Sequence, residues 1–404
     1  MAYFYAMQNG IKIIYLHEPS RKTFGCAIMS RVGSRHESDN MHGITHLAEH
    51  VMMQGGQNCP DSKMIKRTIQ RLGDNVNAGT AKDTVLIHGK FASESMVEAF
   101  GLLADLFTRP TFEQQYVDQE KVIVVNEIGQ YEDDHMTMCI EANQKSYFEG
   151  GLSHQILGTR EDVLSYSPKV IRDWWYSTVT DAQNLIVTAY GPAPVEVFVD
   201  MVKSEMSSIV GKETIVTTPN NFRSGNRQVQ TEADATMNYL SMLFPSRAAS
   251  CPMIKRTELL GQMLGGSMNS VLYKEVRDKM GAAYHISADY ESYKHEGTFS
   301  IIGIHDPTKE VEEKVLHIVK NFSAYVSEED FNAAKESSLA SLAIQFDDPF
   351  STILHYTYCE MHNAPILSFE EKKERYQAIT FKDVLEEAEK IFSHEPCTHI
   401  ISGC

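Results

Sequence analysis

At 404 residues the chain is too long for one ordinary core and calls for about two or three domains. Hydrophobic residues make up 42% of it, in runs well short of the roughly 18 consecutive apolar residues that span a bilayer, which argues against a membrane role. With 54 acidic against 37 basic residues the formal net charge is -17, which disfavours nucleic acid and anionic lipid as partners and favours basic peptides at any concave acidic surface.

The opening segment, MAYFYAMQNGIKIIYLHEP, lacks the pattern of a signal or transit peptide and reads as a strand, a turn at Asn9-Gly10 and a second strand. Alternating runs predict further strands over 24–31, 84–89 and 184–190, and an amphipathic helix over 96–107. The stretch 41–56 predicts a helix ending at Gly55-Gly56. A long helix is expected over 113–134, with Thr111 three residues before Gln114 in a capping-box arrangement. Residues 211–227 are polar, hold two glycines and a proline, and read as a linker. Seven cysteines, an odd number without Cys-x-x-Cys spacing, suggest free thiols in a reducing compartment, most simply the cytoplasm, with an organelle matrix as the alternative.

The segment from Glu113 to Asp134 aligns without a gap with Glu328 to Pro349, bringing Glu113 onto Glu328 and Tyr131 onto Phe346. The expected fold is therefore α+β and duplicated. It has two homologous domains, 1–210 and 228–404, each a mainly antiparallel sheet covered by helices.

Within the predicted helix 41–56 lies HLAEH, His46 to His50. His46, Glu49 and His50 share one helix face, so two imidazoles can grip a single cation while the carboxylate stands beside metal-bound water. Zinc hydrolases use three protein ligands and leave the fourth position to water; Glu127, which follows His50 after 76 intervening residues, is the candidate third ligand. Glu120 lies seven residues before Glu127, about 10 Å along the helix axis, so both cannot ligate one zinc. Glu120 is either a carboxylate supporting the ligands or an ordinary solvated position.

The sequence resembles the inverted-zincin peptidases of the insulinase, pitrilysin and mitochondrial processing peptidase family. The resemblance rests on HLAEH with Glu127, on GSRHES before it, on NAGT at 77–80, on LGTREDV after Ile156, and on LYKEVRDKMGAAYHIS from Leu272. It implies zinc bound by His46, His50 and Glu127, with Glu49 as general base and Glu120 in support. It also implies that Asn77, Ala78, Gly79 and Thr80 pair with substrate backbone as an added strand. Family members often carry an aromatic residue where this chain has Gly79. Arg277 and Tyr284 match an arginine and tyrosine through which the second half completes the first half's site, as donors to an oxyanion or to substrate carbonyls.

In the second half Lys335 replaces Glu120, Leu342 replaces Glu127, and RTELL from Arg256 to Leu260 replaces HLAEH, so no metal is expected there. The resemblance further implies a clamshell chamber, a homodimer, and unfolded peptides or presequence-like segments as substrates of a zinc endopeptidase. The alternatives are an inactive binding or assembly subunit of a processing peptidase or respiratory complex, and a structural zinc, which would ordinarily be closed by four protein ligands.

Overall fold

The computed structural model describes residues 2–73, 75–212, 217–232 and 234–403. The first half runs β1 (Ala2–Ala6), β2 (Lys12–His17), β3 (Thr23–Ser30), α1 (Ile44–Met52), α2 (Ser62–Leu72), β4 (Val76–Thr80), β5 (Val85–Ala92), α3 (Met96–Thr108), α4 (Gln114–Asp133), α5 (His135–Tyr147), α6 (Arg160–Ser165), α7 (Pro168–Trp174), β6 (Leu185–Gly191) and α8 (Val195–Met206). The second runs β7 (Arg227–Glu232), β8 (Asn238–Ser246), α9 (Ile254–Leu264), β9 (Ala283–Ser292), β10 (Gly297–His305), α10 (Val311–Lys320), α11 (Glu328–Asp347), α12 (Pro349–Met361), α13 (Phe369–Ala378), α14 (Phe381–Phe392) and β11 (Cys397–Gly403).

These elements fold into two compact units that exchange segments relative to the expected division at 1–210, 211–227 and 228–404. The first unit comprises 1–128, 154–217 and 345–361; the second comprises 129–153, 218–344 and 362–404. Of the expected linker, residues 213–216 lie outside the described residues.

In the first unit six strands are ordered β1-β2-β6-β3-β5-β4. All neighbours are antiparallel except β2 and β6. The opening hairpin forms as expected, with Tyr3 opposite Tyr15 and Gly10 turning the chain at a φ of 105°. Strand alternation sends Tyr15 and Phe24 to one face, where both rings pack on Phe198 of α8, at 4.7 and 6.1 Å, and Phe100 of α3 meets the same ring at 5.7 Å. Thr188 of β6 points to the opposite face and hydrogen-bonds Thr357 of α12 at 2.8 Å. With helices on both faces, β6 is buried along its whole length.

The second unit's sheet is ordered β7-β11-β8-β10-β9, again with one parallel pair, β7 and β11. Strand for strand this repeats β2-β6-β3-β5-β4, and α9 follows β8 as α1 follows β3, so the duplication extends to the topology. The exchange is reciprocal: α12 packs on β6 and β2, while α5 packs on β8 and β11. Asn143 of α5 is anchored there by donating to the carbonyls of Ser241 and Cys397, at 2.9 and 3.1 Å.

Two helix limits differ from expectation. The predicted helix 41–56 is helical only over Ile44–Met52, because Gly43 adopts a left-handed φ of 77°. Thr111 does not cap α4: its hydroxyl donates to the Gly55 carbonyl at 3.4 Å, and the Glu113 carbonyl receives the Val117 amide that opens the helix. The six described cysteines are free, and among the described residues no helix is long and apolar enough to cross a membrane.

Candidate metal centre

The helix that carries HLAEH is fixed before any ligand is considered. Ile44, Leu47, Ala48, Val51 and Met52 bury its apolar face. Its first turn is held by Glu37 of the GSRHES segment, whose carboxylate accepts the backbone amides of Gly43 at 2.8 Å and Thr45 at 2.9 Å. Burial pushes the Glu37 carboxyl up to about 8, against the pull of those two donors. A Cβ on Gly43 would lie 2.3 Å from the Leu157 carbonyl oxygen, and one on Gly158, itself at a φ of 72°, would lie 2.4 Å from that of His42. The LGTREDV segment therefore crosses the start of α1 at a distance only glycines permit. The Thr45 hydroxyl and the His42 carbonyl are also tied down, by Trp174 at 3.1 Å and Tyr166 at 2.7 Å.

On the other face of α1, ligand atoms of His46, Glu49 and His50 all lie within 4.8 Å of one another. Glu127 Oε2 on α4 approaches both rings: it is 3.9 Å from His46 Nε2 and 3.5 Å from His50 Nε2. Zinc bonds of about 2.0–2.1 Å to nitrogen and oxygen place tetrahedral ligands roughly 3.3 Å apart, so the Glu127–His50 separation is close to that of a zinc ligand pair and the Glu127–His46 separation is somewhat longer. Glu120 occupies a different place. Its Oε2 accepts from the far ring nitrogen of His50, Nδ1, at 3.1 Å, which leaves Nε2 free to face Glu127. Its Oε1 accepts from Gln54 at 2.9 Å, and Gln54 accepts in turn from the Ser62 hydroxyl at 2.6 Å.

The electrostatics suit a cation. Burial, with the neighbouring His50, lowers His46 to about 3, keeping its ring neutral and able to donate a lone pair. Burial also lowers His50, but hydrogen bonding to Glu120 and the charges of Glu49, Glu120 and Glu127 outweigh it and raise it overall. Glu49 is pushed up to about 7 by burial, in the range of an effective general base, and a bound cation would pull it down.

The Asn77 to Thr80 stretch lies in β4, the sheet edge next to this group; the Thr80 hydroxyl is 3.5 Å from Glu49 Oε2. Arg277 and Tyr284 belong to the second unit. Arg277 sits in a π-helical segment, Tyr273–Lys279, with its guanidinium 4.7 Å above the Tyr273 ring, and Tyr284 of β9 is 75% exposed. In that unit the positions matching His46, His50, Glu120 and Glu127 are otherwise engaged. Arg256 pairs with Asp383 at 2.6 Å, Leu260 and Leu342 are buried, and Lys335 donates to the carbonyls of Gln377 and Ile379, each at 2.8 Å.

Sequence reasoning did not single out Gln54 or Glu37. Gln54 continues the four-residue spacing of His46 and His50, a signal that was available, whereas the reach of Glu37 to α1 depends on a loop path that spacing does not encode.

Two sheet-and-helix units of one topology, with a metal-ligand group in the first, define a class of duplicated α+β protein. A model described as Insulinase (Peptidase family M16) matches residues 12–160, and one described as Peptidase M16 inactive domain matches 166–338. The chain belongs to this family, peptidase family M16. It is similar to the uncharacterized zinc protease YmxG of Bacillus subtilis, 28% identical over 74% of this chain and 72% of that protein. It is also similar to an uncharacterized zinc protease of Rickettsia bellii, 23% identical over 98% of this chain and 96% of that protein. A protease from Helicobacter pylori shares the fold at a TM-score of 0.90 and 15% identity, covering 100% of this chain and 99% of that one.

Proposed function

We propose that the chain is a zinc-dependent endopeptidase acting on unfolded peptides or presequence-like segments. The observation that carries this reading is the approach of Glu127 Oε2 to His46 Nε2 and His50 Nε2, at 3.9 and 3.5 Å, beside the buried Glu49 carboxylate. Zinc, when bound, supplies a Lewis acid and lowers the pKa of a coordinated water to about 7. His46 and His50 would hold it through Nε2 and Glu127 through Oε2. Glu120 accepts a hydrogen bond from Nδ1–H of His50, fixing the ring's orientation and tautomer. Glu49 takes the proton of the attacking water and passes it to the leaving amine. The free edge of β4 receives the peptide as an added strand, so affinity comes from backbone hydrogen bonds and not from one sequence. Arg277 and Tyr284 donate to the developing oxyanion or to substrate carbonyls. A homodimer, carried by the family resemblance, and a cytoplasmic location, carried by the cysteine pattern, belong to the same reading.

Cleavage of an unfolded peptide before and after chelation tests it. Activity should vanish with the metal and return with added zinc. Undiminished cleavage by metal-free protein contradicts the zinc mechanism, and a zinc-loaded protein that binds peptides without cleaving them supports the binding-subunit alternative.

A further inference from the structure

Neither backbone conformation nor crowding requires the glycine at the fourth of the five positions of β4. Most other glycines in this unit answer crowding or backbone conformation: a Cβ on Gly89 would strike the Phe91 ring at 2.3 Å, and Gly43 needs its positive φ, whereas Gly101 in α3 is nearly as open as Gly79 but lies in a helix and not on a sheet edge. Gly79 meets neither condition. Its φ is not in the left-handed region, and a Cβ built there finds nothing within 4 Å. Glycine inside a strand weakens it, and where neither a bulge nor a bend demands it, it marks a place where a ligand or another backbone comes close.

Register shows what that ligand would meet. Gly79 pairs with Leu86, and Leu86 with Met29, forming one row of side chains on the face that carries α12. Leu86 is only partly buried, so the row ends at the sheet edge with a leucine beyond a bare glycine. The adjacent Thr80 turns to the other face and reaches Glu49, which places Gly79 one residue from the base. A peptide added alongside β4 sets one residue opposite Gly79 on the same face as Leu86. Their backbones are then two strand spacings apart, about 9.6 Å. A large ring lying across the glycine spans that gap, as aromatic side chains do when they cover an edge glycine in a cross-strand pair.

We propose that Gly79 is a specificity-determining residue, opening a subsite over Leu86 for a large aromatic side chain at one fixed position beside the cleaved bond. This rests on the peptidase reading above. The test digests a degenerate library of unfolded peptides with zinc-loaded protein and reads the cut sites by mass spectrometry. It then compares kcat/KM for a peptide pair carrying Phe or Ala at the enriched position. Phe should be favoured about fivefold, the upper end for a cross-strand pair. Gly79→Val should bring the ratio to about one or below, because its side chain fills the row, and Gly79→Ala should fall between. Cleavage with no aromatic preference at any fixed position, or a ratio that Gly79→Val leaves unchanged, overturns the subsite alone. No cleavage by zinc-loaded wild type overturns the peptidase reading along with it.

Discussion

Replacing Glu120 by Gln separates a supporting carboxylate from a bystander. Glu120 is 5% exposed and both its oxygens accept hydrogen bonds, one from His50 Nδ1 at 3.1 Å and one from Gln54 at 2.9 Å. An amide has a single acceptor oxygen, so one of these two donors loses its partner, and the negative charge that raises His50 is lost as well. Removing such a partner of a metal-bound histidine typically weakens metal binding about 10- to 100-fold, or roughly 1.4–2.8 kcal/mol. Competition against a chromophoric zinc chelator measures it. Glu120→Gln should raise the zinc dissociation constant by that factor while the protein still saturates, and Glu127→Gln, at the proposed third ligand, should weaken binding further. An unchanged zinc affinity in Glu120→Gln would refute the role assigned to the contact with His50.

Three further outcomes are expected. Glu49→Gln should keep zinc by elemental analysis and lose turnover on an unfolded peptide by about 100-fold or more; unchanged turnover rejects Glu49 as the base. Glu37→Ala strands the buried amides of Gly43 and Thr45 at the start of α1, a cost of about 2–3 kcal/mol, and should lower the thermal midpoint by several degrees; an unaltered melt removes Glu37 as the anchor of the helix. Tyr284→Phe and Arg277→Ala should each lower turnover roughly 100-fold with zinc affinity unchanged, and near-normal turnover in the double variant would leave the second unit without a catalytic contribution.

Much of this was legible in the sequence because the relevant signals are local. The spacing in HLAEH places two imidazoles and a carboxylate on one helix face, and β3, β5, β6 and α3 fall within a few residues of their expected limits. The gapless pairing of the two long helices signalled the duplication that the sheet orders repeat. What spacing does not carry is long-range pairing. The exchange of α5 and α12 between the units depends on which sheet face each helix buries, and both helices have apolar residues that fit either scheme. The start of α1 was misplaced because an isolated glycine reads as a tolerated helix residue until the Leu157 carbonyl is seen against it. For Glu120 the spacing allowed two roles, and the hydrogen bond to His50 Nδ1 favours the supporting one.

The most direct test of the metal centre is diffraction from zinc-soaked crystals at the zinc absorption edge. One anomalous peak is expected in the first unit, bonded to His46 Nε2, His50 Nε2 and a Glu127 carboxylate oxygen at about 2.0–2.2 Å, with Glu120 remaining on His50 Nδ1 and outside bonding distance of the ion. A peak ligated by other residues, or no peak in crystals soaked at saturating zinc, would contradict the assignment.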